Sequence, residues 1–260
     1  MAERPKWLNR LTGQAPRRPK VPEGTRVYGV GDIHGRRDLL DTLLQRIWTD
    51  AAPNTTRNTL VFLGDYVDRG PSSKGVIDCL LTMERPGWDI VPLRGNHEQM
   101  FLDFCLNPEV YRVWRGFGGA ETLLSYGVTP PSFDDLVDFA RARGEFVSRV
   151  PASHLEFLNA LPYSHTIGDY FFVHAGVRPG IALARQQPED LMWIRDEFSF
   201  SDRVLEKTVI HGHTPSDRPV VRPNRICVDT GAYATDCLTA VVLDGEICSF
   251  LSTADKQAMG

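Results

Sequence analysis

The sequence predicts an α/β protein built on two packed mixed sheets, and three observations carry that prediction. Three apolar runs are each followed by a polar, glycine-bearing loop and then a helical pattern, with a period near 30 residues, the size of a right-handed βαβ crossover. Residues 107 to 161 lack strand patterns and contain helical ones, so they read as a helical insertion. Beyond them the chain turns to short, often alternating strands, which asks for a second sheet packed on the first.

The elements follow in order. Val27-Tyr28-Gly29-Val30 is a strand ending at Gly31-Asp32-Ile33-His34-Gly35, and Leu39, Leu40, Leu43, Leu44, Ile47 and Trp48 give the helix after it an apolar face. Leu60 to Leu63 is apolar at every position, as an interior strand should be, and Gly64 lets the chain turn into Asp65, Asp68 and Arg69. Ser72 or Ser73 can cap the next helix, whose apolar face is Val76, Ile77, Leu80 and Leu81. Ile90 to Leu93 leads to Arg94-Gly95-Asn96-His97-Glu98 and a helix bearing Met100, Phe101, Phe104 and Cys105.

Within 107–161, helices are predicted over Phe133–Ala140 and Ser153–Leu161, the second opened by the capping-box spacing of Ser153 and Glu156. This insertion beside the active edge is the natural place for substrate selection. Strands are then expected at Tyr170–Val173, Thr208–Ile210 and Arg225–Val228. A hairpin from Leu238 to Leu251 would turn at Asp244-Gly245. The chain is read as one domain over 25–255, preceded by a basic, proline-bearing arm over 1–24 that stays out of the core.

Composition narrows the function classes. With 42% hydrophobic and 24% charged residues, the 260-residue chain can bury a substantial core. A net charge of −4 offers no field for nucleic acid, so no nucleic-acid partner is expected. No apolar run approaches the roughly 18 residues of a membrane span, and none is expected to meet a membrane. The five cysteines form no C-x-x-C pair, fit a reducing compartment and read as buried small apolar residues, so a cytoplasmic setting is expected.

The chemistry is concentrated at strand ends. Five predicted strands each run into a loop offering Asp, His or Asn: Asp32 and His34, Asp65, Asn96, His174 and His213. Taken singly, each is more often a turn or packing residue. Together, six oxygen and nitrogen donors without a thiolate suit two divalent ions such as Mn, Fe or Zn. Two ions require a shared ligand, and a carboxylate bridges where an imidazole does not.

The ordered motifs Gly31-Asp32-Ile33-His34-Gly35, Gly64-Asp65-Tyr66-Val67-Asp68-Arg69-Gly70 and Gly95-Asn96-His97-Glu98, then His174-Ala175-Gly176 and Gly212-His213, resemble those of the calcineurin-like metallophosphoesterases. Their pattern is most similar to the bacterial and phage serine/threonine branch of the phosphoprotein phosphatases. The resemblance spans residues 27–232 and implies a β-sandwich flanked by helices. It implies that Asp32, His34 and bridging Asp65 hold one metal, and that Asp65, Asn96, His174 and His213 hold the other. Arg69 and Arg195 would clamp phosphate with Asn96 beside it, and His97, oriented and kept protonated by Asp68, would be the general acid. The implied reaction is direct attack on phosphorus by a metal-bridging hydroxide, with two ions, Mn first, then Fe or Zn.

Several residues lie outside that pattern. Gly212-His213-Thr214-Pro215 lacks the last histidine of the wider superfamily, as the phosphatase branch does. His211 shares a strand face with His213 and is assigned a structural role, His154 and His165 are read as packing or surface residues, Asp229 as a shaper of the site and Tyr233 as a rim residue. The expected substrate is a phosphorylated protein or a small phosphate ester. The alternative is symmetrical diadenosine tetraphosphate hydrolysis, whose family typically has Ala in place of Asp68 and Asp in place of Glu98, so both residues favour the phosphatase reading. A non-catalytic scaffold, the remaining reading, would have lost ligands that are all present here.

Overall fold

The computed structural model describes residues 18–51 and 57–254. Strands β1 (Thr25–Val30), β2 (Arg57–Phe62) and β3 (Trp88–Pro92) alternate with helices α1 (Arg37–Asp50), α2 (Ser73–Leu81) and α3 (Asn96–Leu106). Helices α4 (Tyr111–Trp114), α5 (Gly119–Ser125), α6 (Leu136–Arg149) and α7 (Ala152–Ala160) then precede β4 (Ser164–Ile167) and β5 (Tyr170–Val173). After α8 (Pro188–Trp193) and α9 (Asp196–Ser199) come β6 (Thr208–His211), β7 (Val220–Arg222) and β8 (Arg225–Cys227). Short α10 (Ala232–Thr235) leads into the hairpin of β9 (Thr239–Asp244) and β10 (Ile247–Ser252).

The expected two sheets are present, in the orders β10-β9-β1-β2-β3 and β4-β5-β6-β8-β7. The pairs β1–β2, β2–β3, β5–β6 and β6–β8 are parallel, and β10–β9, β9–β1, β4–β5 and β7–β8 are antiparallel, so both sheets are mixed. Alternation along the strands builds two cores at once. Val27, Val61, Val241 and Leu243 meet Phe172, Ile210 and Ile226 between the sheets. Their neighbours Tyr28, Leu60, Phe62 and Val242 face the helix layer with Leu40, Ile47, Val76 and Ile77. Strands covered on both faces read as unbroken apolar runs, which is how β2 looked in the sequence.

Four local expectations are corrected. The basic arm was bounded at residue 24; residues 1–17 lie outside the described ones, but Val21 is buried between the sheets and donates its N–H to the Gly245 carbonyl. Helix α7 starts at Ala152 behind Pro151, with no side-chain cap, so Ser153 lies inside the first turn and forms no capping box. Ser72 occupies the cap position of α2 without a cap hydrogen bond. Of the five free cysteines only Cys227 is fully buried, and Cys248 is exposed. Among the described residues, no helix is long and apolar enough to cross a membrane.

Candidate active site

The loops after β1, β2, β3, β5 and β6 converge at one edge of the sandwich, where ligands of α/β sheets gather. Asp32, His34, Asp65, Asn96, His97, His174 and His213 are all at most 4% exposed. The loops pack backbone against backbone: the Asp65 carbonyl accepts from Ile33 N and His34 N, and Gly35 N donates to the Tyr66 carbonyl. Gly95 is required by this closeness, because a Cβ there would fall on the Asp65 carboxylate.

Backbone strain marks the same edge. Among the described residues, the non-glycine positions with positive φ are His34, Asp65, Asp68, Arg69, His213 and Asp236. All but Asp236 belong to the converging loops. Such conformations cost roughly 1–3 kcal/mol each and persist only where the surroundings enforce them.

Two donor clusters share one carboxylate. Ligating atoms of His34, Asp65 and His97 lie within 4.8 Å of one another, and so do those of Asp65, His174 and His213. His34 Nδ1 is 2.9 Å from the Val67 carbonyl and His174 Nδ1 is 2.9 Å from the Leu63 carbonyl. Each Nδ1 therefore carries the proton and donates it, which leaves the Nε2 lone pair pointing inward. His34 Nε2 faces Asp65 Oδ2 at 3.4 Å, and His174 Nε2 faces Asp65 Oδ1 at 3.3 Å. Asn96 Oδ1 and His213 Nδ1 stand 2.9 and 3.1 Å from His174 Nε2.

This donor set fits divalent cations. Burial pushes His174 down to about 3 and holds His34 well below the usual histidine range, so both rings are neutral. An ionised Asp65 then meets two lone pairs with no proton between, an arrangement that is repulsive unless cations sit among them. Burial and neighbouring carboxylates push Asp32 and Asp65 well above the usual carboxylate range, which is the mark of acids lacking a counter-cation. The buried Asn96 Nδ2 and His213 Nε2 also have no hydrogen-bond partner. Asp32 joins neither three-residue cluster; its carboxylate accepts from His213 N at 3.0 and 3.2 Å and adjoins Asp229.

His97 Nδ1 is 2.6 Å from Asp68 Oδ2. The sequence expectation was that this carboxylate would orient His97 and keep it protonated near neutrality; the contact is present, and the electrostatics of the protein groups alone act against the charge. Burial, then the Arg69 and Arg195 charges, hold His97 well below its ordinary value, while burial pushes Asp68 up to about 7. Only added negative charge beside the two guanidiniums would make the imidazolium favourable.

Arg69 lies half-buried with its guanidinium over the Tyr233 ring at 4.4 Å. Arg195 is exposed and donates to the His213 carbonyl at 3.3 Å. His211 is buried against Phe198, with Nδ1 on the Gly212 carbonyl. His154 is a core residue bridging Tyr126 and Asp78, and His165 is half-buried in β4.

Three further side chains complete the site. Glu98 is fully buried and accepts from Asp65 N, Tyr66 N and Gly95 N at 2.7–2.9 Å, tying the β2 and β3 loops together. Trp114 and Thr122 reach Asp68 from the helical insertion, 46 and 54 residues away. In the sequence Glu98 stood out as the end of Gly95-Asn96-His97-Glu98, read as favouring a phosphatase; its tie to three backbone amides was not anticipated, and Trp114 and Thr122 carried no local signal.

A family model described as calcineurin-like phosphoesterase matches residues 25–243. The chain belongs to this family. The family implies divalent metal ions, and the His/Asp clusters around Asp65 are groups that could bind them. It is 31% identical over 160 residues to a symmetrical bis(5'-nucleosyl)-tetraphosphatase of Acidovorax ebreus, covering 59% of this chain and 44% of that one. A serine/threonine-protein phosphatase 1 of Salmonella typhimurium is 43% identical over 77 residues, 30% of this chain and 32% of that one. An asymmetrical bis(5'-nucleosyl)-tetraphosphatase PrpE of Anoxybacillus flavithermus is 24% identical over 82% of this chain and 88% of its own length. The chain thus spans less than half the length of the first two relatives. Among solved structures, a cold-active protein-tyrosine phosphatase of a Shewanella species has a TM-score of 0.60 at 16% identity, covering 90% of this chain and 83% of that one. A protein serine/threonine phosphatase of Saccharomyces cerevisiae has a TM-score of 0.54 at 15% identity, covering 88% and 79%. These two likenesses concern the fold.

Proposed function

We propose that this phosphoesterase holds two divalent ions around Asp65 and hydrolyses a dinucleoside tetraphosphate. The observation that carries the proposal is the position of Asp65, one oxygen facing His34 and the other facing His174. Asp32, His34 and Asp65 would hold one ion, and Asp65, Asn96, His174 and His213 the other; manganese suits this mixed N/O set, as do iron and zinc. When bound, the ions supply Lewis acidity and an activated water.

The chain's own residues do the rest. Arg69 and Arg195 present planar paired donors to non-bridging phosphate oxygens, and the buried Asn96 Nδ2, which has no hydrogen-bond partner, is a further donor for them. Bound phosphate brings the negative charge that raises the proton affinity of His97, whose Nε2 then gives a proton to the leaving oxygen. Asp68 holds Nδ1 and thereby the ring.

Two observations move the substrate away from the phosphatase reading. Relatives matched over 59% and 82% of this chain carry tetraphosphatase names. Asp68 and Glu98, which had favoured a protein phosphatase, are both fully buried and bonded to protein groups, so neither can select a substrate directly. A phosphoserine or phosphothreonine ester is the second reading. It is favoured by the 77-residue match to a serine/threonine phosphatase and by the Asp68–His97 pair, since an alkoxide leaving group needs a proton more than a phosphate does.

Diadenosine tetraphosphate, a phosphoserine peptide and para-nitrophenyl phosphate, assayed side by side with Mn, test the proposal. The expected result is the highest kcat/KM on the dinucleotide, with two ADP from symmetrical cleavage or ATP and AMP from asymmetrical cleavage. Preference for the phosphopeptide would install the second reading, and no hydrolysis of any of the three would overturn both.

A further inference from the structure

The helical insertion reaches into the acid pair itself. Asp68 is fully buried, and every polar atom of its carboxylate is taken. Oδ2 accepts from the Trp114 indole Nε1 at 2.7 Å and meets His97 Nδ1 at 2.6 Å, while Oδ1 accepts from the Thr122 hydroxyl at 2.6 Å. Asp68 N donates to Ser73 Oγ and Thr122 Oγ1, which are themselves 2.9 Å apart. An indole N–H can only donate, so Oδ2 is fixed as an acceptor on that side. Trp114 cannot swing away, because Phe101, Phe104 and Phe146 pack around it. The same segment places the Gly118 carbonyl on Arg69 N and the Phe117 ring edge-on to His97 at 5.7 Å.

We propose that Trp114 and Thr122 are positioning residues for proton donation, clamping the Asp68 carboxylate in the one orientation that keeps His97 Nε2 aimed at the Asp65 edge. Asp68 sits at φ +70°, a conformation the backbone does not favour by itself, so its carboxylate depends on these outer donors for its place. His97 Nε2 lies 3.6 Å from Asp65 Oδ2. The proton delivered from Nε2 joins the leaving oxygen as the P–O bond breaks onto it, while the Nδ1 proton stays with Asp68. The insertion thus governs leaving-group protonation, a role distinct from the substrate selection expected of it. This inference rests on the phosphohydrolase reading above.

Trp114→Phe keeps the ring packing and removes the N–H; Thr122→Val keeps the shape and removes the hydroxyl. With Mn, each is expected to lower kcat on a phosphoserine peptide about 10-fold, part of the roughly 10²–10⁴ due to a positioned acid, and to lower it less on para-nitrophenyl phosphate, whose leaving group needs little protonation. KM should hold, and the loss should vanish in an Asp68→Asn background. Equal losses on both esters, no loss, or the same loss beside Asp68→Asn would overturn the inference. The downfield proton resonance of the short His97–Asp68 hydrogen bond gives a second readout that needs no turnover. It should move upfield in both variants, and an unmoved resonance in folded variants would overturn the inference. A wild type that cleaves neither ester, nor diadenosine tetraphosphate, would instead sink the functional reading, whereas cleavage of the dinucleotide alone would keep it; in both cases the resonance would still decide the placement.

Discussion

Nε2 of His174 stands 3.3 Å from Oδ1 of Asp65, although the ring's proton is already given, through Nδ1, to the Leu63 carbonyl. Two lone pairs face each other in a fully buried site, and His34 repeats the arrangement on the other carboxylate oxygen. That doubled relationship is a cation-binding geometry with one shared ligand, and the predictions below extend outward from it.

Replacing His97 by Ala, with bound metal retained, should slow cleavage of a phosphoserine peptide by about 10² to 10⁴-fold. Steady-state kinetics beside metal analysis of the same sample checks this. Undiminished kcat would remove His97 from proton transfer despite its 2.6 Å contact with Asp68.

Glu98→Ala leaves three buried backbone amides, those of Asp65, Tyr66 and Gly95, without their acceptor. Each orphaned donor costs about 1–3 kcal/mol, so chemical denaturation should record a loss of several kcal/mol. The milder Glu98→Gln should leave the ratio of activities on dinucleotide and phosphopeptide unchanged, because this side chain touches only backbone. A reversed preference would restore Glu98 as a specificity determinant.

The active edge was legible because its donors sit in glycine-bearing loops directly after apolar strands. His34, Asp65, Asn96, His174 and His213 could be placed from local pattern, and β1, β2 and β5 from continuous apolar runs. Strand β4, Ser164–Ile167, was missed because Ser, His and Thr interrupt any apolar run, and β7 because it has three residues. Helix α6 was cut short at residue 140, although it runs to Arg149, since its later turns carry arginines on the exposed face and bury only Ala142 and Phe146. The roles of Trp114 and Thr122 were out of reach for a different reason: hydrogen bonds spanning 46 and 54 residues leave no local pattern.

His154 predicts a pH effect away from the metal clusters. Burial, opposed by Asp78 and aided by Lys74, holds it below its ordinary value, and the neutral ring donates Nε2–H to Asp78 and accepts from the Tyr126 hydroxyl. A depressed folded value means that the unfolded chain binds the proton first. The stabilisation is therefore complete above about pH 6.5 and is lost as pH falls toward the folded value. Urea unfolding of the wild type and His154→Gln over this range should show the gap in stability narrowing on acidification. A gap that widens would reverse the assignment.

Arg69→Lys keeps a charge and loses the planar fork that meets two phosphate oxygens and stacks on Tyr233. The expected result is a KM raised by about 10-fold, equivalent to about 1.4 kcal/mol of binding, with a smaller fall in kcat. Initial rates over a substrate series measure both. An unchanged KM would show that Arg69 does not grip phosphate.

The most direct test is electron paramagnetic resonance of the protein loaded with Mn and counted by elemental analysis. Two ions per chain with a spin-coupled spectrum are expected for the wild type, and Asp65→Asn should lose the coupling and at least one ion, because the carboxylate between His34 and His174 is the shared ligand. A single ion, or two uncoupled ions that survive Asp65→Asn unchanged, would contradict the shared-carboxylate centre.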